Sequence, residues 1–107
     1  MPKYLIQASY TAEGLKGLQK DKASGRRAAV AKAVEAVGGK VEAFYFAFGD
    51  YDVVAILDLP DNVTAARLGV AVSATGLARS KTTPLLTVEE TDQALQESFG
   101  EYRGPGA

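Results

Sequence analysis

The most constraining feature of this chain is a pair of apolar runs set across a four-residue turn. Phe44-Tyr45-Phe46-Ala47-Phe48 is followed by Gly49-Asp50-Tyr51-Asp52 and then by Val53-Val54-Ala55-Ile56-Leu57. Aromatic and β-branched residues suit a pleated, half-buried surface. Glycine supplies positive φ, and aspartate supplies local backbone hydrogen bonds for a turn. A hairpin is therefore expected. Its first strand, over residues 40–48, places Val41, Ala43, Tyr45 and Ala47 on one face and Glu42, Phe44, Phe46 and Phe48 on the other. The second, over 53–59, is apolar on both faces except at Asp58. Strands of that kind are expected at the centre of a sheet covered on both sides. A chain with few helices leaves the second cover to another subunit.

The rest of the chain reads as elements arranged around that hairpin. Residues 3–10 alternate as a first strand, with Tyr4, Ile6, Ala8 and Tyr10 on one face. Thr11 stands where a helix N-cap belongs, and Glu13 falls in the first turn. Gly14 and Gly17 weaken this helix, and Ala23-Ser24-Gly25 predicts a break before a second helix over 25–37, capped by Ser24. Arg26 falls four residues before Val30, at the N-terminal end of that helix's apolar stripe. It either snorkels to water or faces a polar pocket beneath the helix.

Gly38-Gly39 closes the helix, and Pro60-Asp61 ends the third strand, with Asp61 or Asn62 capping a further helix. That helix is expected to present Val63, Ala66, Leu68, Val70, Ala71 and Val72 as a small-residue face. A fourth strand over 77–87 alternates Arg79, Lys81 and Thr83 against Ser80 and Thr82, and Pro84 marks it as an edge or a bend. A last short helix is anchored through Leu95 and Phe99. The order strand, helix, strand, strand, helix, strand, then C-terminal helix is the ferredoxin-like α+β arrangement βαββαβ with a four-stranded antiparallel sheet. It reads as one domain over residues 1–100, with a flexible tail over 101–107.

Composition removes several function classes. The 107 residues contain no cysteine and no histidine, so thiol nucleophiles, imidazole bases, Ser-His-Asp triads and the common zinc and haem ligand sets are absent. A net charge of -1 argues against nucleic-acid binding, which needs clustered cations on phosphates. The cluster Lys16, Lys20, Lys22, Arg26 and Arg27 is broken by Asp21 and reads as a solvated helix face. No apolar stretch approaches the length of a membrane span, and none resembles a signal region, so a cytoplasmic location is expected. Asp50, Asp52, Asp58 and Asp61 are not spaced as a metal-binding loop, and no dinucleotide or phosphate loop is present. Neither a cofactor nor a metal is expected.

The candidate chemistry gathers around the turn. Tyr51 is either a packed aromatic, the commoner role, or a phenol donating to a bound carbonyl. Asp52 opens an otherwise apolar strand. Its carboxylate either caps neighbouring amides at the strand end or is held beside a cation, for which Arg26, Arg79 and Lys81 are the available partners. With Tyr4, Tyr45, Phe46 and Phe48 as walls, such a polar end would make a pocket for a flat or acidic organic molecule.

These residues also carry a resemblance. The turn Gly49-Asp50-Tyr51-Asp52, the aromatics before it and Val53-Val54-Ala55-Ile56 after it resemble the GYD-domain family. So do Thr11, Gly14, Arg26, Gly38-Gly39, Pro60-Asp61, and Gly76 followed by Arg79 and Thr82. The resemblance spans about residues 2–90. Pro84 and Leu86 depart from it, standing where a basic residue and an aromatic usually follow in the last strand. It implies a dimeric α+β barrel, a homodimer or higher homo-oligomer joined through the sheet face, with a small-molecule pocket between sheet and helices. The wider fold group includes cofactor-free enzymes acting on aromatic or polyketide-like substrates as well as ligand-sensing and assembly modules. The residues leave open whether this chain is an enzyme, with Tyr51 and Asp52 as its catalytic pair and Arg26 and Arg79 orienting the ligand, or a non-catalytic binding protein.

Overall fold

Hydrogen-bond ladders join four strands in the order β2-β3-β1-β4, every neighbouring pair antiparallel. The structure is a computed structural model and describes residues 1–96 and 98–107. Along the chain the elements are β1 (Lys3–Tyr10), α1 (Ala12–Ala36), β2 (Lys40–Phe46), β3 (Val53–Asp58), α2 (Asn62–Ala74), β4 (Ala78–Leu85) and α3 (Val88–Gln96). This is the ferredoxin-like layout that the element order predicts.

Helices α1 and α2 lie on the same face of the sheet, α1 over β2 and α2 over β4. Register fixes which residues meet them. Tyr4 stands beside Leu57 and Pro84, and Ile6 beside Ala55 and Thr82. The core is built from this face, with Tyr4, Val34, Ala55, Leu57, Leu59 and Ala65 buried together. Leu5, Gln7 and Ser9 point the other way, in register with Val54 and Ile56 on one side and with Arg79, Lys81 and Thr83 on the other. Neither α1 nor α2 covers this second face.

Local chemistry sets the boundaries. Thr11 caps α1, its hydroxyl accepting from the Gly14 amide at 3.2 Å. The same hydroxyl donates to the Gly76 and Leu77 carbonyls, and the Thr11 amide donates to the Leu77 carbonyl at 2.9 Å. The entry to α1 is thereby tied to the loop before β4. Gly14 makes the approach possible, because a Cβ there would sit 1.9 Å from the Leu77 oxygen. Asp61 caps α2 by accepting from the Thr64 amide at 2.8 Å, which holds its carboxyl below the usual carboxylate range. Lys3 donates to Asp58 at 2.8 Å and to Glu42 at 3.2 Å. The Asp58 bond, then the Glu42 bond, raise the Lys3 pKa above the usual lysine range.

Five sequence expectations are corrected. First, β2 is an edge strand, not a central one; its apolar faces cover one layer of helix and one uncovered sheet surface. Second, β2 carries a bulge between Val41 and Ala43. The extra residue moves Val41 onto the face of Phe44, against the core, and leaves Glu42 toward Lys3. Third, the break in α1 is not at Ser24: the helix runs on through Ala23-Ser24-Gly25 and is interrupted at Lys22, whose φ of 64° and ψ of 170° are non-helical. Fourth, α2 buries Thr64 and Ala65 and packs Leu68 on the core, while Val63 and Val70 face outward. Fifth, Leu95 and Phe99 do not anchor α3, which buries no residue.

Candidate functional site

The space between the two helices and the sheet is an apolar cavity of about 180 Å³. It exists because α1 and α2 hardly touch one another, α1 resting on the β2 half of this face and α2 on the β4 half. Ile6, Ala8, Val53 and Ala55 form its floor. Ala29, Val30 and Ala33 of α1 face Leu68, Gly69 and Val72 of α2 across it. Small side chains on both helices keep the space open: alanines on α1, and Gly69 on α2, where an added Cβ would meet only Ser80 and Thr82 at ordinary contact distance.

Polar groups reach the cavity at few points. Ser80 and Thr82 contribute hydroxyls from β4. Among the described residues Arg26 is the single charged residue in its lining, brought to that helix face by its phase with Val30, from which the sequence leaves open whether it snorkels to water or faces a pocket. Its guanidinium is half-buried and reaches Asp21 at 3.4 Å, a long, partly solvated contact. Such a pair contributes little and leaves most of the guanidinium's donors available.

The structure distributes the other candidate residues over different surfaces. Tyr4 is buried and donates its hydroxyl to Asn62 Oδ1 at 2.6 Å. It lines a shallow groove between α2 and the β4 edge rather than the cavity. Phe46, Phe48 and Asp52 come together in a separate groove with Leu15, Leu18 and Lys22 of α1. Tyr45 and Arg79 are exposed on the uncovered sheet face, so Arg79 and Arg26 lie on opposite sides of the sheet. Tyr51 is half-buried in the turn and lines neither cavity nor groove.

Asp52 takes the amide-capping alternative. Its carboxylate accepts from the Tyr10 amide at 2.8 Å, while its own amide donates to the Ala8 carbonyl and its carbonyl accepts from the Ala47 amide, both at 2.8 Å. It makes no ion pair among the described residues. The carboxylate thus ties the β2–β3 hairpin to the end of β1, where the ladder stops and the Tyr10 amide needs an acceptor. Phe44, absent from the walls expected from sequence, does line the cavity. The signal that could have found it is strand alternation, which sets Phe44 on the same face as Phe46.

A comparison with protein families finds the GYD domain over residues 4–95. The chain belongs to the GYD-domain family. No curated protein and no solved structure matches it. In this GYD-domain chain the residues that carry the resemblance have structural duties: Thr11, Gly14 and Gly76 lock one end of the sheet to both helices, and Asp52 closes the hairpin onto β1. Gly38 ends α1 with φ of 82°, and a Cβ on Gly39 would sit 2.6 Å from the Asp58 carbonyl oxygen. The Arg26 side chain makes one hydrogen bond among the described residues, the 3.4 Å contact with Asp21. Among the described residues no three His, Cys, Asp or Glu side chains are placed to share a metal ion, and no helix is long and apolar enough to cross a membrane.

Proposed function

We propose that this GYD-domain protein is a homo-oligomeric binding protein for a small, flat, apolar molecule bearing one acidic group. In this reading the molecule's body occupies the cavity between the helices and its anion meets Arg26. The observation that carries the proposal is an apolar cavity of about 180 Å³ with one loosely paired cation in its lining. A dry cavity of about 150 Å³ accepts benzene, so this one suits a single ring with a small substituent. A guanidinium at its wall favours a carboxylate, which it receives with two parallel hydrogen bonds. The oligomer forms through the uncovered sheet face, where Leu5, Val54, Ile56 and Tyr45 would otherwise remain in water.

Binding is favoured over turnover because among the described residues no carboxylate lines the cavity to serve as a general base, and Tyr51 and Asp52 lie on other surfaces. The enzymatic reading retains one support, the groove where Asp52 meets Phe46 and Phe48. Calorimetric titration with benzoate and with benzyl alcohol tests the proposal. Benzoate is expected to bind more tightly. Arg26→Gln should weaken benzoate about tenfold and leave the alcohol unchanged, and Ala55→Leu, which fills the cavity floor, should abolish both. Equal affinity of wild type and Arg26→Gln for benzoate would overturn the assignment of Arg26. Binding that survives in a folded Ala55→Leu chain would move the ligand elsewhere.

A further inference from the structure

α2 carries a glycine that the helix itself does not need. Gly69 lies in the interior of α2, where alanine stabilises a helix more than glycine does. A Cβ there would meet Ser80 Oγ at 3.8 Å and Thr82 Oγ1 at 3.9 Å, ordinary contacts that displace nothing. The close backbone approach that requires glycine at 14 and 39 is absent. What glycine preserves at position 69 is the room of one methyl group in front of two hydroxyls.

Those hydroxyls are not used by the fold. Ser80 and Thr82 stand on one face of β4, in register with Ala8 and Ile6 of the cavity floor. Both residues are half-buried, and neither side chain hydrogen-bonds to another protein group among the described residues. A hydroxyl donates one bond and accepts up to two, and polar groups placed in an otherwise apolar lining fix a ligand's orientation and identity. Ala65, Gly69, Ser80 and Thr82 also line the shallow groove between α2 and the β4 edge, so cavity and groove meet at this wall.

The wall lies across the cavity from the cation. Arg26 comes from α1, which rests over β2, whereas Ser80 and Thr82 come from β4 at the other edge of the sheet. Between them the lining is apolar.

We propose that Ser80, Thr82 and Gly69 form a second recognition point, which selects, among ring acids, those carrying an uncharged oxygen on a ring carbon away from the carboxylate. The carboxylate meets Arg26, and the far oxygen, a hydroxyl or a carbonyl, bonds to the Ser80 and Thr82 hydroxyls in the room that Gly69 leaves. The inference rests on the cavity reading above and adds the ligand's second functional group.

The test is calorimetric titration of the full chain with 3- and 4-hydroxybenzoate, each against the methylbenzoate of the same substitution. A methyl group has the size of the hydroxyl and none of its hydrogen bonds. The wild type should bind at least one hydroxybenzoate about tenfold more tightly than its methyl counterpart. In Ser80→Ala with Thr82→Val that ratio should fall to about one, and because it is taken within one protein a general loss of affinity does not imitate the result. Gly69→Ala should separate folding from recognition: its melting temperature should rise by about 5 °C, while the preference for the hydroxyl falls.

Equal affinity of the wild type for hydroxyl and methyl forms, with benzoate still dependent on Arg26, overturns the second recognition point and leaves the cavity reading standing. A preference that survives in the double variant overturns the assignment of the hydroxyls. A Gly69→Ala chain that gains stability and keeps the full preference removes Gly69 from the site. Failure of every one of these acids to bind removes the cavity reading itself, and the second point with it.

Discussion

Gly14→Ala and Gly17→Ala place the same methyl group on the same helix, and the structure gives them opposite signs. Alanine is worth about 1 kcal/mol over glycine in a helix interior. At Gly17 nothing lies within 4 Å of the new Cβ, so most of that gain should appear as added stability. At Gly14 the Cβ would stand 1.9 Å from the Leu77 carbonyl oxygen and 3.1 Å from the Tyr10 ring. The carbonyl belongs to backbone and accepts from both the amide and the hydroxyl of Thr11, so it moves only by loosening both bonds, at about 1 kcal/mol each. Forcing the backbone apart adds about 1–3 kcal/mol. After the helix gain is deducted, Gly14→Ala should destabilise by about 2–4 kcal/mol, or lower the melting temperature by roughly 10–20 °C for a domain of this size. Melts followed by circular dichroism at one protein concentration read both variants, since an oligomer's melting point depends on concentration. A Gly14→Ala protein as stable as Gly17→Ala would refute the junction between α1 and the loop before β4.

Three further outcomes follow from local geometry. Tyr4→Phe removes the hydroxyl that donates to Asn62 and should cost about 1 kcal/mol in urea denaturation; no loss would mean the bond does not form in solution. Lys22 has φ of 64° and ψ of 170°, a region essentially reserved for glycine. Lys22→Gly should therefore stabilise by about 1 kcal/mol in the same assay, and a loss would place the kink elsewhere. Asp61 and Glu90 are both held below the usual carboxylate range by hydrogen bonds from Thr64 and Thr87. Each therefore contributes stability that is present above its unfolded pKa and lost as pH falls through the lower folded value. Lys3, raised first by Asp58 and then by Glu42, has the opposite sign: its contribution is present below the unfolded lysine pKa and lost as pH rises through the folded one. An acid–base series on Asp61→Asn and Lys3→Met should show the acid limb flattened in the first variant and the alkaline limb flattened in the second.

Features set by neighbours in sequence are legible in it, and those set by strangers are not. Thr11 and Asp61 announce themselves as caps because a cap bonds to an amide three residues away. Arg26 falls at the end of the apolar stripe by its phase with Val30, but whether it turns to water or lines the cavity is a choice that phase leaves open. The position of β2 in the sheet depends on which strand pairs with which, and apolarity on both faces does not distinguish an edge strand over an uncovered surface from a buried central one. The bulge that turns Val41 and Phe44 to the same side leaves no mark in residue types. From sequence, Asp52 has a choice between a cation and an amide. The amide is that of Tyr10, forty-two residues away, and only the ladder that brings β1 beside β3 puts it within reach. On α2 the outward Val63 and Val70 are as apolar as the residues that pack, so composition overstates the buried face. On α3 the spacing of Leu95 and Phe99 signals an anchor, yet both side chains are exposed and no surface among the described residues receives them.

The proposed function makes the chain an oligomer that carries a small acidic molecule between its helices. Native mass spectrometry of freshly purified wild-type and Arg26→Gln protein measures assembly and bound mass together. An oligomer is expected in both, with a small organic mass retained by the wild type and lost from the variant. A bare monomer of the wild type, or an oligomer whose bound mass is the same in both proteins, would contradict it.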